Sequence, residues 1–185
     1  MEKRDLDIIT NSAVNWRMYQ DTTVLITGAT GRLGRYILET LADIDLKYNL
    51  NMRIIGLARS EEKARSVFDN LLELPNVEFL YQDVNVSIDY SAKIDYIYHT
   101  AGPAAPKDYN SPVETLWAHV NGTHNVLECA RTHKTKRVFY VSTVETYGEW
   151  RSDEKIKESD MGIMRHLNSR ACYPEAKRLC ETMLT

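Results

Sequence analysis

The stretch Thr27-Gly28-Ala29-Thr30-Gly31-Arg32-Leu33-Gly34 restricts the possible folds of this chain most sharply. Its glycines stand at GxxGxxG spacing after a short apolar run, Val24 to Thr27 (VLIT). In the segment that follows, Leu33, Ile37, Leu38, Leu41 and Ile44 recur at helical spacing. Strand, glycine turn and helix in that order make the phosphate-binding turn of a dinucleotide-binding βαβ unit. Gly28 permits the tight turn, Gly31 lets backbone approach a pyrophosphate, and Gly34 lets helix and strand pack closely. The helix N-terminus then offers free N–H groups and partial positive charge to the phosphates. A glycine triplet alone is only a tight turn; the flanking strand and helix favour the binding reading.

The same alternation runs through the chain. Arg53 to Leu57 (RIIGL) reads as a second strand, followed by a helix capped by Ser60. Val77 to Tyr81 reads as a third strand, Ile94 to His99 (IDYIYH) as a fourth and Val138 to Ser142 (VFYVS) as a fifth. Ser111-Pro112-Val113-Glu114 joins an N-cap, a first-turn proline and a capping-box glutamate, so a helix runs from there to about Thr132. A last helix begins near Ser169 and is still running at the chain's end. The pattern predicts an α/β, Rossmann-type doubly wound parallel sheet with helices on both faces. Residues 1–20 form an added arm or helix, and residues 21–185 the dinucleotide-binding domain. The polar stretch from Glu149 to Asn168 reads as a loop over a site.

Composition narrows the function. A net charge of −3 across 185 residues gives no nucleic-acid or anionic-membrane surface. The basic run His133-Lys134-Thr135-Lys136-Arg137 joins a helix to a strand and reads as a solvated connection. Cys129, Cys172 and Cys180 are an odd set with neither CxxC nor zinc spacing, which fits reduced core thiols and no metal site. No apolar run approaches the roughly 20 residues of a membrane helix, and the first residues carry no signal-peptide core. The expected setting is cytoplasmic, so the glycosylation-like triplets at Asn85 and Asn121 are chance matches.

The second strand ends in Leu57-Ala58-Arg59-Ser60, without the acidic residue that holds a ribose 2′-hydroxyl. Arg59 with Ser60 pairs with a 2′-phosphate, is merely solvated, or stacks on adenine; the cofactor is NAD or NADP, leaning to NADP. Tyr173-Pro174-Glu175-Ala176-Lys177 is a YxxxK motif. On a helix its ends share a face, so the ammonium sits beside the phenol. A nearby cation lowers a tyrosine from about 10 toward neutrality, which suits a general base for an alcohol.

These motifs in this order resemble the extended short-chain dehydrogenase/reductases, the NAD-dependent epimerase/dehydratase family, over about Thr22 to Thr185. TGATGRLG matches the family's glycine turn, with Gly28, Thr30, Gly31, Arg32, Leu33 and Gly34 as its cofactor-binding positions. Asp83-Val84 looks like the pair that contacts adenine. His99-Thr100-Ala101-Gly102-Pro103-Ala104-Ala105-Pro106 matches the segment on the nicotinamide side, with Thr100, Ala101 and Gly102 as cofactor contacts. Val141 to Gly148 (VSTVETYG) matches the serine/threonine strand. That strand and Arg170 to Arg178 complete the set, and HTAGPAAP and RACYPEAKR are most similar to the UDP-glucuronate decarboxylase branch.

The resemblance implies a nucleotide-sugar substrate whose C4 hydroxyl is oxidised. It implies that Tyr173 takes the hydroxyl proton and that Lys177 lowers the Tyr173 pKa and binds the nicotinamide ribose. Thr143 hydrogen-bonds the sugar oxygen, and Glu145 serves the second stage. It further implies a homodimer through the helix from Ser111 and the last helix, and a C-terminal substrate domain that this chain lacks. Two positions depart from the pattern. Val144 stands where dehydratases carry aspartate and decarboxylases serine, which disfavours dehydration and also weakens the decarboxylase assignment. His119 replaces an asparagine. Two other readings stay open: an NADPH-dependent reductase of a small carbonyl compound, which Arg59 suits, and a non-catalytic dinucleotide sensor, against which Thr143, Tyr173 and Lys177 argue together.

Overall fold

The computed structural model describes residues 3–150 and 153–185. Met1 and Glu2 of the N-terminal arm, and Arg151 and Ser152 of the polar loop, lie outside the described residues. The chain divides into two compact units. One comprises the chain up to Ala101 together with Asn125–Tyr140; the other comprises Gly102–His124 and Val141–Thr185.

In the first unit, α1 (Lys3–Thr10) and a single 3-10 turn (Trp16–Tyr19) precede β1 (Thr23–Thr27). Then come α2 (Arg32–Tyr48), β2 (Arg53–Ala58), α3 (Glu61–Phe68), β3 (Val77–Tyr81) and β4 (Tyr96–His99). Helix α4 (Pro112–His133) follows, and its last nine residues belong with this unit, as does β5 (Arg137–Tyr140). All five strands pair in parallel, in the order β3-β2-β1-β4-β5. That order reverses direction beside β1, and in open α/β sheets ligands bind outside the strands' carboxyl ends at such a switch.

Successive strand residues point to opposite faces, and the core divides accordingly. Val24, Ile26 and Ile54 meet Leu38, Leu41 and Ile44 of α2 and Ala64 and Phe68 of α3. Leu25, Ile55, Leu57 and Ile97 meet Val126 and Cys129 of α4. Both faces are therefore covered by helices, as a parallel sheet requires. Each fully buried Leu or Ile contributes about 2 kcal/mol relative to exposure.

Several boundaries differ from the sequence reading. Leu33 is not on the buried face of α2; it lies in the first turn and is 53% exposed. β4 starts at Tyr96 because Asp95 turns its carboxylate to the Thr23 N–H (3.1 Å) and to Lys93 (2.6 Å). β5 stops at Tyr140, the partner of the last β4 residue, His99, so Val141 and Ser142 have no ladder to join.

The second unit holds the start of α4, a 3-10 turn (Val144–Tyr147), another (Ser169–Ala171) and α5 (Cys172–Met183). The last helix thus begins three residues later than the sequence suggests and ends at Met183, two residues before the chain does. Among its described residues, the stretch from Glu149 to Asn168 carries only an isolated antiparallel bridge, Glu149 to Ile163. Cys129, Cys172 and Cys180 are buried free thiols. Among the described residues no helix is long and apolar enough to cross a membrane.

Candidate active site

In the first unit the glycine turn joins β1 to α2. Gly28 has φ +67°, and a Cβ there would lie 2.9 Å from the Ala101 backbone. At Gly34 a Cβ would collide with the Gly28 carbonyl and come within 2.9 Å of Ala29 Cα, so helix and turn are in backbone contact. Gly31 is the N-cap of α2 and supplies no side-chain cap, while residues 31–33 are exposed. The first-turn N–H groups of a 17-residue helix are thus left for an anion.

Beneath the turn, the Thr27 hydroxyl bonds His99 Nδ1 (2.7 Å), and the Thr100 hydroxyl donates to the Thr27 carbonyl (2.7 Å). These bonds tie the carboxyl ends of β1 and β4 together. Thr30 and Ala101 are half-buried, and Arg32 is exposed. Asp83 accepts from the Asn85 backbone and side-chain N–H groups (2.9 Å each). The Val84 carbonyl accepts from Asn125 (2.9 Å). Arg59 is exposed, and the Ser60 hydroxyl caps α3 through the Lys63 N–H (3.1 Å). A nicotinamide dinucleotide fits this donor set: an uncapped helix N-terminus behind a turn in which a side chain is sterically barred at Gly28 and Gly34.

The second unit brings Thr143, Glu145, Tyr173 and Lys177 together. Thr143 lies past β5 and caps the following 3-10 turn, accepting from the Glu145 N–H (3.3 Å). Its hydroxyl acts to lower the Tyr173 pKa. Tyr173 and Lys177 share a face of α5, with the ammonium 5.9 Å from the phenol ring centroid. Lys177 is buried, donates to the Val141 carbonyl (2.7 Å) and is pushed down to about 8 by its burial.

Tyr173 itself stands above its ordinary value, not below it. Burial is the main cause, and Tyr109 and Glu145 add to it against the opposing Thr143 hydroxyl and Arg170 charge. Lys177 is turned toward Val141 and is too far away to reverse the balance. Val144 is 70% exposed, and no proton donor replaces it at its position.

Other residues of this cluster carry no motif of their own. Arg170 holds both Glu145 oxygens (2.9 Å each) and lies 4.7 Å over the Tyr109 ring. Tyr109 and His119 flank Tyr173, with ring centroids at 5.6 Å and 5.5 Å. Arg170 falls inside the RACYPEAKR segment, and only its spacing of three from Tyr173 could have flagged it. A cleft of about 230 Å³ is lined by Glu145, Gly148, Asn168, Arg170 and Pro174, among others. Gly102 is exposed and lies against His119.

Residues 24–185 match the model of the NAD dependent epimerase/dehydratase family. UDP-glucuronic acid decarboxylase 4 of Arabidopsis thaliana is 31% identical over 163 residues, covering 86% of this chain and 34% of that protein. UDP-glucuronic acid decarboxylase 1 of Danio rerio is 30% identical over 168 residues, covering 86% and 36%. This chain therefore spans about a third of each. Among solved structures, the UDP-N-acetylglucosamine 4-epimerase of Methanobrevibacter ruminantium superposes with a TM-score of 0.71 at 20% identity, over 89% of this chain and 50% of that one. The UDP-glucose 4-epimerase of Bifidobacterium longum, solved with NAD+ and UDP, gives 0.65 at 22% identity, over 88% and 48%. At those identities the structures show a common fold, and the family model extends the match through the glycine turn to the Tyr173 helix. The chain belongs to the NAD dependent epimerase/dehydratase family.

Proposed function

We propose that this chain is the cofactor-binding part of an enzyme that oxidises the C4 hydroxyl of a nucleotide sugar. The names of its relatives favour a UDP sugar. The observation that carries the reading is the convergence of Thr143, Tyr173 and Lys177 in one unit, with the Lys177 ammonium 5.9 Å from the centroid of the phenol ring. When bound, a nicotinamide dinucleotide supplies the hydride acceptor. Gly28, Thr30, Gly31, Arg32, Leu33 and Gly34 would hold its pyrophosphate, and Asp83 and Val84 its adenine. Thr100, Ala101, Gly102, Tyr173 and Lys177 would hold its nicotinamide side.

Tyr173 takes the proton of the sugar hydroxyl, and Thr143 hydrogen-bonds the same oxygen as its charge grows. Deprotonating a buried phenol requires a cation: the Arg170 charge already acts in that direction, and Lys177 shares the phenol's helix face. Glu145, held by Arg170, serves the second stage on the 4-keto sugar. Val144 gives no acid for loss of water, which leaves decarboxylation or epimerisation. Glu145 and Arg170 also border the cleft of this unit. The family name favours NAD as cofactor, whereas Arg59 beside the capping Ser60 favours NADP. Val113, Trp117 and Leu179, exposed by 74%, 65% and 48%, support a homodimer through α4 and α5.

The test supplies NAD+ or NADP+ with UDP-glucuronate or UDP-glucose and follows reduced nicotinamide at 340 nm together with sugar products. Wild type should turn over one of these pairs, and Tyr173→Phe should lose at least a hundredfold in rate while still binding cofactor. Undiminished turnover by Tyr173→Phe would remove the base from the mechanism.

A further inference from the structure

His119 lies inside α4 with its side chain 2% exposed. Its Nε2 is 2.8 Å from the Pro103 carbonyl oxygen. A carbonyl only accepts, so Nε2 carries the hydrogen and donates, which leaves Nδ1 as the acceptor nitrogen. Burial, then the Lys177 charge, push the imidazole down to about 4, so the ring is neutral at pH 7. Its Cε1–Nδ1 edge lies against Gly102, which has φ +154°; a Cβ there would come within 2.6 Å of Nδ1. Only glycine lets the segment lie this close.

A second ring does the same work one residue further on. The Tyr109 hydroxyl donates to the Ala104 carbonyl at 3.3 Å. The carbonyls of Pro103 and Ala104 are thus held by two aromatic side chains, and those same two rings flank Tyr173 at 5.5 Å and 5.6 Å. The segment and the phenol share their supports. The His119 backbone carbonyl is in turn an acceptor for the Cys180 thiol of α5, at 3.5 Å.

We propose that His119 is a positioning residue for Tyr173: its Nε2–H fastens the Gly102–Ala104 segment to α4 while its ring fixes one side of the phenol. The functional part of this inference rests on Tyr173 being the base. Removal of the hydrogen bond and removal of the ring should have separable effects. Glutamine places an amide nitrogen where Nε2 lies and keeps a donor, whereas phenylalanine fills the ring space without one.

The experiment uses the whole chain labelled with 15N-histidine and with 13C at the tyrosine ζ carbon, Tyr173→Phe assigning the Tyr173 signal. At pH 7 wild-type His119 should show the Nε2–H tautomer. In His119→Phe, the amide protons of Gly102, Ala104 and Ala105 should exchange about tenfold faster, the equilibrium worth of one ordinary hydrogen bond, and the Tyr173 signal should move. His119→Gln should bring both back toward wild type. An Nδ1–H tautomer in wild type would overturn the proposal, and so would His119→Phe exchange and Tyr173 signals identical to wild type. If His119→Phe fails to fold, the wild-type tautomer and the Gln variant still decide. Turnover retained by Tyr173→Phe would sink the base reading alone and leave the tautomer and exchange results standing.

Discussion

At the scale of single residues, two buried cations-in-waiting set the pH behaviour of the second unit. His119 titrates near 4 in the fold and near 6.5 when unfolded, so between those values the unfolded chain binds the extra proton. Stability contributed by the neutral ring is therefore intact above pH 6.5 and is lost as the pH falls toward 4, by a total on the order of 3 kcal/mol. Urea midpoints measured from pH 7 to 4 should fall more steeply for wild type than for His119→Gln; parallel curves would refute the burial argument. Lys177, pushed down to about 8, binds fewer protons in the fold than unfolded between about pH 8 and 10.5, so its contribution to stability rises with pH across that window. At neutral pH it is a buried charge that donates to the Val141 carbonyl. Lys177→Met should therefore raise the unfolding free energy by about 1 kcal/mol while abolishing turnover, a trade of stability against function. A destabilised Lys177→Met would mean that the ammonium is better satisfied than its burial implies.

At the scale of elements, the glycine turn is the most demanding piece. A methyl at Gly34 meets backbone rather than a side chain that can swing away. Gly34→Ala should cost about 2 kcal/mol and weaken dinucleotide binding more than tenfold, measured by thermal unfolding and calorimetry on the same sample. Binding at wild-type strength in that variant would show that the turn relaxes freely.

This element was legible in the sequence because strand, glycines and helix each leave a local mark. Ser60 was legible as a cap for the same reason. The ends of β4 and β5 were not, because they are fixed by non-local partners: the Asp95 carboxylate on Thr23 and the termination of β4 at His99. Thr143, Tyr173 and Lys177 could be named from spacing and resemblance, yet the direction of the Tyr173 shift could not. It depends on how deeply the phenol is buried and on Lys177 turning to Val141, neither of which an i, i+4 spacing encodes. Tyr109 and Arg170 escaped because their roles arise from tertiary contacts: the Tyr109 ring against Tyr173, and Arg170 over Tyr109 while paired with Glu145.

At the scale of the whole molecule, the family match runs from residue 24 to 185, while the chain spans only about a third of the two decarboxylases it resembles. Val113, Trp117 and Leu179 form an exposed apolar set on α4 and α5. Sedimentation of Trp117→Glu should show monomer at concentrations where wild type is dimeric; a monomeric wild type would remove the homodimer.

The most direct test of cofactor binding is calorimetric titration of the folded chain with NAD+ and, separately, NADP+. Saturable binding of one of them, weakened more than tenfold by Gly34→Ala and retained by Tyr173→Phe, is the expected result. A folded wild-type chain that takes up neither would contradict the assignment of the glycine turn and, with it, the proposed chemistry.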